Sequence, residues 1–174
     1  MSLAGPLAVL AAAAAPVPDA SPDKIDTPIT AVPKSFVDCA SAYARKLAAD
    51  ETIEARFDCA LRHFRGHPGF DESSYASATA GVHAAGVANL YVDEILVPML
   101  SEQLQDDPKE LTRGFLLRGY VRSQRAAGQS LCDIYYDMFS GGTIRSVMGS
   151  GCALGNADRL VEALLRLQAT IAPR

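Results

Sequence analysis

Several features that would point to a nucleic-acid-binding protein, a β-rich protein or an enzyme are missing from this 174-residue sequence. Its 16 basic and 20 acidic residues give a net charge of −4, whereas nucleic-acid binding needs a clustered basic face. The alternation of apolar and polar residues that is typical of strands is also missing. Apolar residues recur instead at helical steps of three and four, so we predict an all-α protein that does not bind nucleic acid.

Recognisable catalytic motifs are missing as well. The sequence has no Gly-x-Ser-x-Gly segment, no phosphate-binding loop and no zinc-finger spacing. The adjacent carboxylates Asp93 and Glu94 would point apart on a helix and would not form an acid–base pair. We therefore predict neither an enzyme nor a bound cofactor.

The start of the chain lacks the basic residues that normally open an export signal. Residues 4–15 form an uncharged, alanine-rich run with no Lys or Arg before it, and the run is too short to span a bilayer as a helix. We interpret residues 1–20 as a signal-peptide remnant; the alternative is an alanine-rich tail. Residues 21–34 are proline-containing and polar, which predicts a flexible leader, and residues 35–174 then form a single helical domain.

Within that domain, apolar periodicity predicts a small antiparallel bundle whose helical segments cover residues 35–49, 51–64, 73–105, 107–139 and about 156–169. Gly81, Gly86 and Pro98 predict a bend or break in the third segment. Asp107 followed by Pro108 is a strong start signal for the fourth, because it supplies an N-cap and a first-turn proline.

The four cysteines form two pairs of identical spacing, Cys39 with Cys59 and Cys132 with Cys152. In an exported protein an even number of cysteines indicates a disulfide framework, with reactive thiols as the alternative. Three pairings are possible and the sequence alone does not choose among them. Locality favours Cys39 with Cys59 and Cys132 with Cys152, because each pair would join a helix to the following element across a predicted turn.

One further cluster has the spacing of a metal site. Cys59, His63 and His67 lie four residues apart and could share one face of a helix. Gly66 and Pro68 break that face, however, and Cys59 is already needed for a disulfide. We therefore predict no metal site.

Three short segments resemble a known family. The stretch between Cys132 and Cys152 contains Gly141-Gly142-Thr143-Ile144, Ser123-Gln124-Arg125-Ala126 precedes it, and Ser35-Phe36-Val37-Asp38-Cys39-Ala40 surrounds the first cysteine. These segments resemble the LprI-like lysozyme-inhibitor family, which was long catalogued as a domain of unknown function.

The resemblance implies a periplasmic or secreted helical protein with two disulfides, some of whose relatives inhibit lysozyme in the bacterial envelope. An acidic inhibitor would be steered toward lysozyme or another cationic envelope protein, and a loop could then enter a cleft that holds two carboxylates. The candidate partner-binding residues on that loop are Gly141, Gly142, Thr143, Arg145 and Ser146. Two alternatives remain open: the glycines only end a helix and Arg145 is a solvated surface residue, or the protein is a non-inhibitory envelope interaction or structural module.

Overall fold

The computed structural model describes residues 29–49, 56–68, 70–104, 111–139 and 141–171, and throughout these ranges the chain forms helices and turns without a strand. The predicted all-α fold with two disulfides is confirmed. The helices are α1 (Lys34–Ala49), α2 (Cys59–Arg65), α3 (Ser74–Tyr91), α4 (Val97–Gln103), α5 (Leu111–Met138) and α6 (Ile144–Ile171). The predicted signal remnant (1–20) and the predicted start signal at 107–110 lie outside the described residues.

Helix α6 lies at the centre of the fold. It packs along α3 on one side and α5 on another, while α1 and α2 cover it near its middle. Its buried apolar side chains recur at steps of three and four residues, which gives one helix a continuous apolar face; they are Leu154, Ala157, Leu160, Val161, Leu164 and Leu165. The other side of the core holds edge-to-face rings of Phe36, Tyr43, Phe57 and Tyr91.

The break predicted in the third segment occurs near Pro98 and not at the two glycines. Helix α3 continues through Gly81 and Gly86, and a π-helical turn over Val92–Leu96 then leads into α4. In that turn the N–H of Val97 donates to the carbonyl of Val92, which lengthens the helical turn just before the proline. Gly81 instead permits close packing, since a Cβ there would lie 3.0 Å from the Cβ of Ser150 on α6.

Two boundaries near the start of the domain differ from the predicted ones. Ile29 and Val32 pack against the core, so this end of the predicted leader belongs to the folded domain. Residues 56–58 are not helical, and α2 begins only at Cys59; residues 51–55, where the second helix was predicted to start, lie outside the described residues. Helix α1, by contrast, matches its predicted span to within one residue.

The turn between α5 and α6 is much shorter than predicted. Helix α6 begins at Ile144, whereas the sequence predicted a start near Asn156. Gly149 and Gly151 lower intrinsic helix propensity, by about 1 kcal/mol each, which made a long loop the natural expectation. Packing against α3 and α5 overrides that preference. Gly142, at φ 79°, makes the left-handed turn that only glycine adopts easily.

Both disulfides join the cysteines that locality favoured. Cys39 on α1 is bonded to Cys59 at the start of α2, with the two Cα atoms 5.9 Å apart. Cys132 on α5 is bonded to Cys152 on α6, with the Cα atoms 5.5 Å apart. The first links α1 to the start of the short helix α2, and the second ties the long α5–α6 hairpin near its closed end.

Candidate functional site

A groove of about 510 Å³ lies where α3 crosses the closed end of the α5–α6 hairpin, beside the second disulfide. We call it the hairpin groove. Its main lining residues come from all three helices: Tyr75, Val82, Cys132, Asp133, Tyr136 and Ser146.

The walls of the hairpin groove are apolar and open to solvent. Tyr75 is 57% exposed and Val82 is 52% exposed, and they lie two turns apart on α3. Tyr136 faces them from α5 and is 42% exposed. Large apolar side chains are more often buried, so a cluster of them at the mouth of a groove makes this surface a candidate binding site.

Contacts of Asn156 join α5 to α6 beside the second disulfide. The side-chain amide of Asn156 donates to the carbonyl of Gly128 over 2.8 Å and lies 3.0 Å from the sulfur of Cys132. A Cβ at Gly128 would come within 2.8 Å of the same amide nitrogen, so only glycine leaves space for this bond. Together with the disulfide to Cys152, this contact sets the spacing of α5 and α6.

The predicted partner-binding residues occupy different environments. Residues 141–143 form the exposed turn of the hairpin, as expected for a loop. Arg145 and Ser146, however, lie in the first turn of α6, so their predicted position on a projecting loop is wrong. The guanidinium of Arg145 is 3.6 Å above the ring of Tyr136 and 3.7 Å from the carboxylate of Asp137. Arg145 therefore holds the wall of the groove, and Ser146 lies on its lining.

The three residues whose spacing resembled a metal site, Cys59, His63 and His67, do not form one group. Cys59 is in a disulfide, the ring of His63 stacks on His83 with centroids 5.5 Å apart, and the ring of His67 meets His83 edge to face at 5.0 Å. Burial, followed by the neighbouring His83 and His67, lowers the pKa of His63 below its ordinary value. No group of three His, Cys, Asp or Glu residues within the described ranges has a geometry suited to a metal ion.

Sequence reasoning missed a buried carboxylate on the opposite side of α6. Asp158 is only 5% exposed and accepts a hydrogen bond from the N–H of Ala60 over 3.1 Å. Burial raises the pKa of Asp158 to about 6, although the backbone bonds from Ala60 and Leu61 act against that rise. Asp58, at the N-cap position of α2, makes no capping bond. Asp158, from a distant part of the chain, caps that helix in its place.

One turn further along α6, Glu162 joins α6 to α1. The Tyr43 hydroxyl donates to Glu162 over 2.9 Å, and the guanidinium of Arg166 donates to the same oxygen over 2.9 Å. Burial alone would raise the pKa of Glu162, but the hydrogen bonds from Arg166 and Tyr43 outweigh it and lower the pKa. Asp158 thus holds α2 against α6, and Glu162 holds α1 against α6.

No protein-family model, curated protein or solved structure matches this chain. The resemblance to the LprI-like family therefore stays a prediction that depends on the segments around the cysteines. Among the helices that the structure describes, none is long and apolar enough to cross a membrane.

Proposed function

We propose that this chain is an exported binding protein, that the hairpin groove is its binding surface, and that its target is a lysozyme-like glycan hydrolase, which it inhibits. The observation that supports a binding role is the cluster of exposed Tyr75, Val82 and Tyr136 around a groove braced by a disulfide. Disulfides form and persist mainly in oxidising compartments, which supports export.

Aromatic anchors of this kind suit a protein partner. Tyrosine offers a large apolar area with few rotatable bonds and a polar tip, and it is enriched at interfaces. Tyr136 is already held by Arg145, and the backbone beneath it is fixed by the Cys132–Cys152 bond. Little ordering entropy is then lost when a partner binds, which favours affinity.

The charges beside the groove favour a cationic partner. Asp133 lines the groove in a protein whose net charge is −4, while Asp137, one turn further along α5, is paired with Arg145. An acidic surface speeds encounter with a basic protein such as lysozyme. In this arrangement a basic side chain of the target enters the hairpin groove. The neighbouring turn at 141–143 then covers part of the substrate cleft, so inhibition is steric.

The proposal is tested with the purified full chain against several lysozyme types in a cell-wall turbidity assay, with affinity measured by calorimetry. We expect saturable inhibition of at least one type. Tyr136→Ala should weaken binding at least about tenfold, as expected for an interface anchor. Phe115→Ala is the matched control, because Phe115 is 69% exposed on the same helix but does not line the groove.

Two results would count against the proposal in different ways. Absence of binding to every lysozyme tested, together with capture of a different envelope protein that Tyr136→Ala abolishes, would favour the non-inhibitory interaction module. Equal loss of lysozyme binding in Tyr136→Ala and Phe115→Ala would instead remove the hairpin groove from the binding surface.

A further inference from the structure

Three histidines meet at the end of α2 that lies away from Cys59. The ring of His63, in the last turn of α2, stacks on His83 of α3 with the ring planes 26° apart and the centroids 5.5 Å apart. The ring of His67, in the turn that follows α2, meets His83 edge to face at 5.0 Å. We call His63, His67 and His83 the histidine cluster. They are the only histidines in the sequence, and none of them lines the hairpin groove.

The histidine cluster joins α2 to α3 at one end of this seven-residue helix. Beside the cluster, the ring of Phe64 lies close to Gly81 of α3, where an added Cβ would be 3.6 Å from it, and meets the ring of Phe70 at 4.7 Å. At the other end of α2, Cys59 is covalently bonded to α1 and Asp158 caps the first turn. The start of α2 therefore stays attached to α1 and α6 even when the contacts at its far end are lost.

Within the described ranges, no carboxylate offsets a positive charge on the histidine cluster. Helix α3 carries no acidic residue, and α2 carries only basic ones besides its histidine. The carboxylates on the other elements around the cluster are Asp38 on α1, Asp58 before α2, Asp71 and Glu72 in the turn after α2, and Asp158 and Glu162 on α6. The charges that act on His63 are instead those of His83 and His67, and the charge that acts on His83 is that of His67.

Folding favours the neutral form of the rings that stack. Burial is the main cause that lowers the pKa of both His63 and His83 below the ordinary value of 6.5, and the neighbouring histidines lower it further. The unfolded chain therefore binds protons at these two positions more tightly than the folded one. Their contribution to stability is present above pH 6.5 and is lost as pH falls from there through the lowered pKa values.

The contacts of the cluster suit neutral rings better than charged ones. Nε2 of His63 is buried and has no hydrogen-bond partner among the described residues, so a proton bound there would have no acceptor. His67 differs, because its Nδ1 can donate to the carbonyl of Pro68 over 2.6 Å whether or not the ring is charged. Rings with centroids 5.0 and 5.5 Å apart also bring positive charges close enough to repel one another across the contact between α2 and α3.

We infer that the histidine cluster is a pH-sensitive latch: neutral rings hold the end of α2 and the turn after it against α3, and proton uptake in mild acid releases them. The bond between Cys39 and Cys59 keeps the start of α2 in place, so the opening is confined to residues 63–68 and 70–73. The inference holds whether or not the hairpin groove binds a lysozyme.

Nuclear magnetic resonance on the purified full chain tests the inference. The ring signals of His63 and His83 should titrate at a lower pH than those of a histidine in an unfolded peptide. The amides of residues 63–68 and 70–73 should exchange at least about tenfold faster at pH 5 than at pH 7, after correction for intrinsic rates, while those of α1 keep their protection. Ring titration as in a free peptide, or equal exchange in this segment at the two pH values, would overturn the inference.

Variants separate the histidine cluster from Asp158, whose pKa of about 6 lies in the same range. His83→Phe keeps a ring and His83→Gln keeps a polar group, but neither takes up a proton, so both should stay closed at pH 5. Val82→Phe, at the exposed neighbouring position, is the matched control and should open in acid like the wild type. Asp158→Asn should also still open. Circular dichroism establishes that each variant is helical. Acid opening that persists in both variants of His83, or that is lost in Asp158→Asn, would overturn the inference.

Discussion

The two disulfides close loops of the same length, each joining cysteines 20 residues apart, yet they lie in opposite surroundings. Around Cys39–Cys59 the neighbouring rings of Phe36 and Phe57 are each 1% exposed. Beside Cys132–Cys152 the ring of Tyr136 is 42% exposed on a groove. Since loop closure contributes the same entropy in both cases, any difference in their effects must come from the packing around them. The first disulfide lies beside the packed rings of the core, and the second lies beside an exposed groove.

The largest expected loss of stability comes from a change in the core, beside the first disulfide. Phe36→Ala should lower the free energy of unfolding by about 3–5 kcal/mol, because it leaves a cavity among packed rings. Tyr75→Ala, on the groove, should change it by no more than about 0.5 kcal/mol. Urea titration of both variants measures the difference. Similar losses in the two variants would mean that the groove wall is part of the core.

The next largest loss of stability is expected from removing a disulfide. The double variant Cys39→Ala/Cys59→Ala should lose about 3 kcal/mol of stability across the whole domain, the value expected for a loop of this size. Cys132→Ala/Cys152→Ala should lose less globally, because the long α5–α6 hairpin remains packed while its closed end opens locally. Hydrogen exchange separates the two cases. Faster exchange confined to the hairpin end is expected only in the second variant, and uniform acceleration in both would break the distinction.

The stability of the core should also depend on pH, through Asp158. Its folded pKa of about 6 lies above the ordinary value of 3.8, so folding favours the protonated form. The contribution of Asp158 to stability is therefore greatest below about pH 4 and falls as pH rises through 6, by at most about 3 kcal/mol. Asp158→Asn should remove this slope, and its amide oxygen can still accept from the N–H of Ala60. The difference in unfolding free energy between wild type and variant from pH 4 to 8 isolates the effect. A constant difference would contradict it.

A small loss of stability is also expected from a change at Arg145, beside the hairpin groove. Arg145→Glu removes an exposed ion pair and a stacking contact, which together contribute about 1 kcal/mol or less. On the proposed function, the same change should weaken target binding far more than Arg122→Glu, because Arg145 holds Tyr136 and Arg122 lies outside the groove. Calorimetric titration of a responsive lysozyme gives the comparison. Equal affinities in two folded variants would mean that the position of Tyr136 does not matter for binding.

Local spacing in the sequence was enough to predict some of this architecture. The steps of three and four from Phe36 to Leu47 gave the span of α1, and the equal intervals between cysteines favoured the pairing that the structure contains. Both features depend on residues close together in the chain. The all-α class followed from the same periodicity.

Features that depend on distant contacts were not predictable in this way. Glycines at 81 and 149 indicated breaks, but each sits where another helix approaches closely, so tertiary packing overrides propensity there. The hairpin groove joins Tyr75 and Val82 to Tyr136, which no local pattern connects. One signal was present: Tyr75 and Val82 are seven residues apart, which places them on one side of α3.

The cap that Asp158 provides to α2 also bears on the order in which the chain folds. A helix of seven residues is too short to be stable by itself in water, and its partner carboxylate lies 98 residues beyond Ala60. The segment around Cys59 can therefore reach its final shape only after the chain has been synthesised through α6 and α6 has docked. During folding we expect Cys39 and Cys59 to meet early but to settle into the native arrangement late. A truncated chain that ends before Asp158 should leave this first disulfide open to reduction.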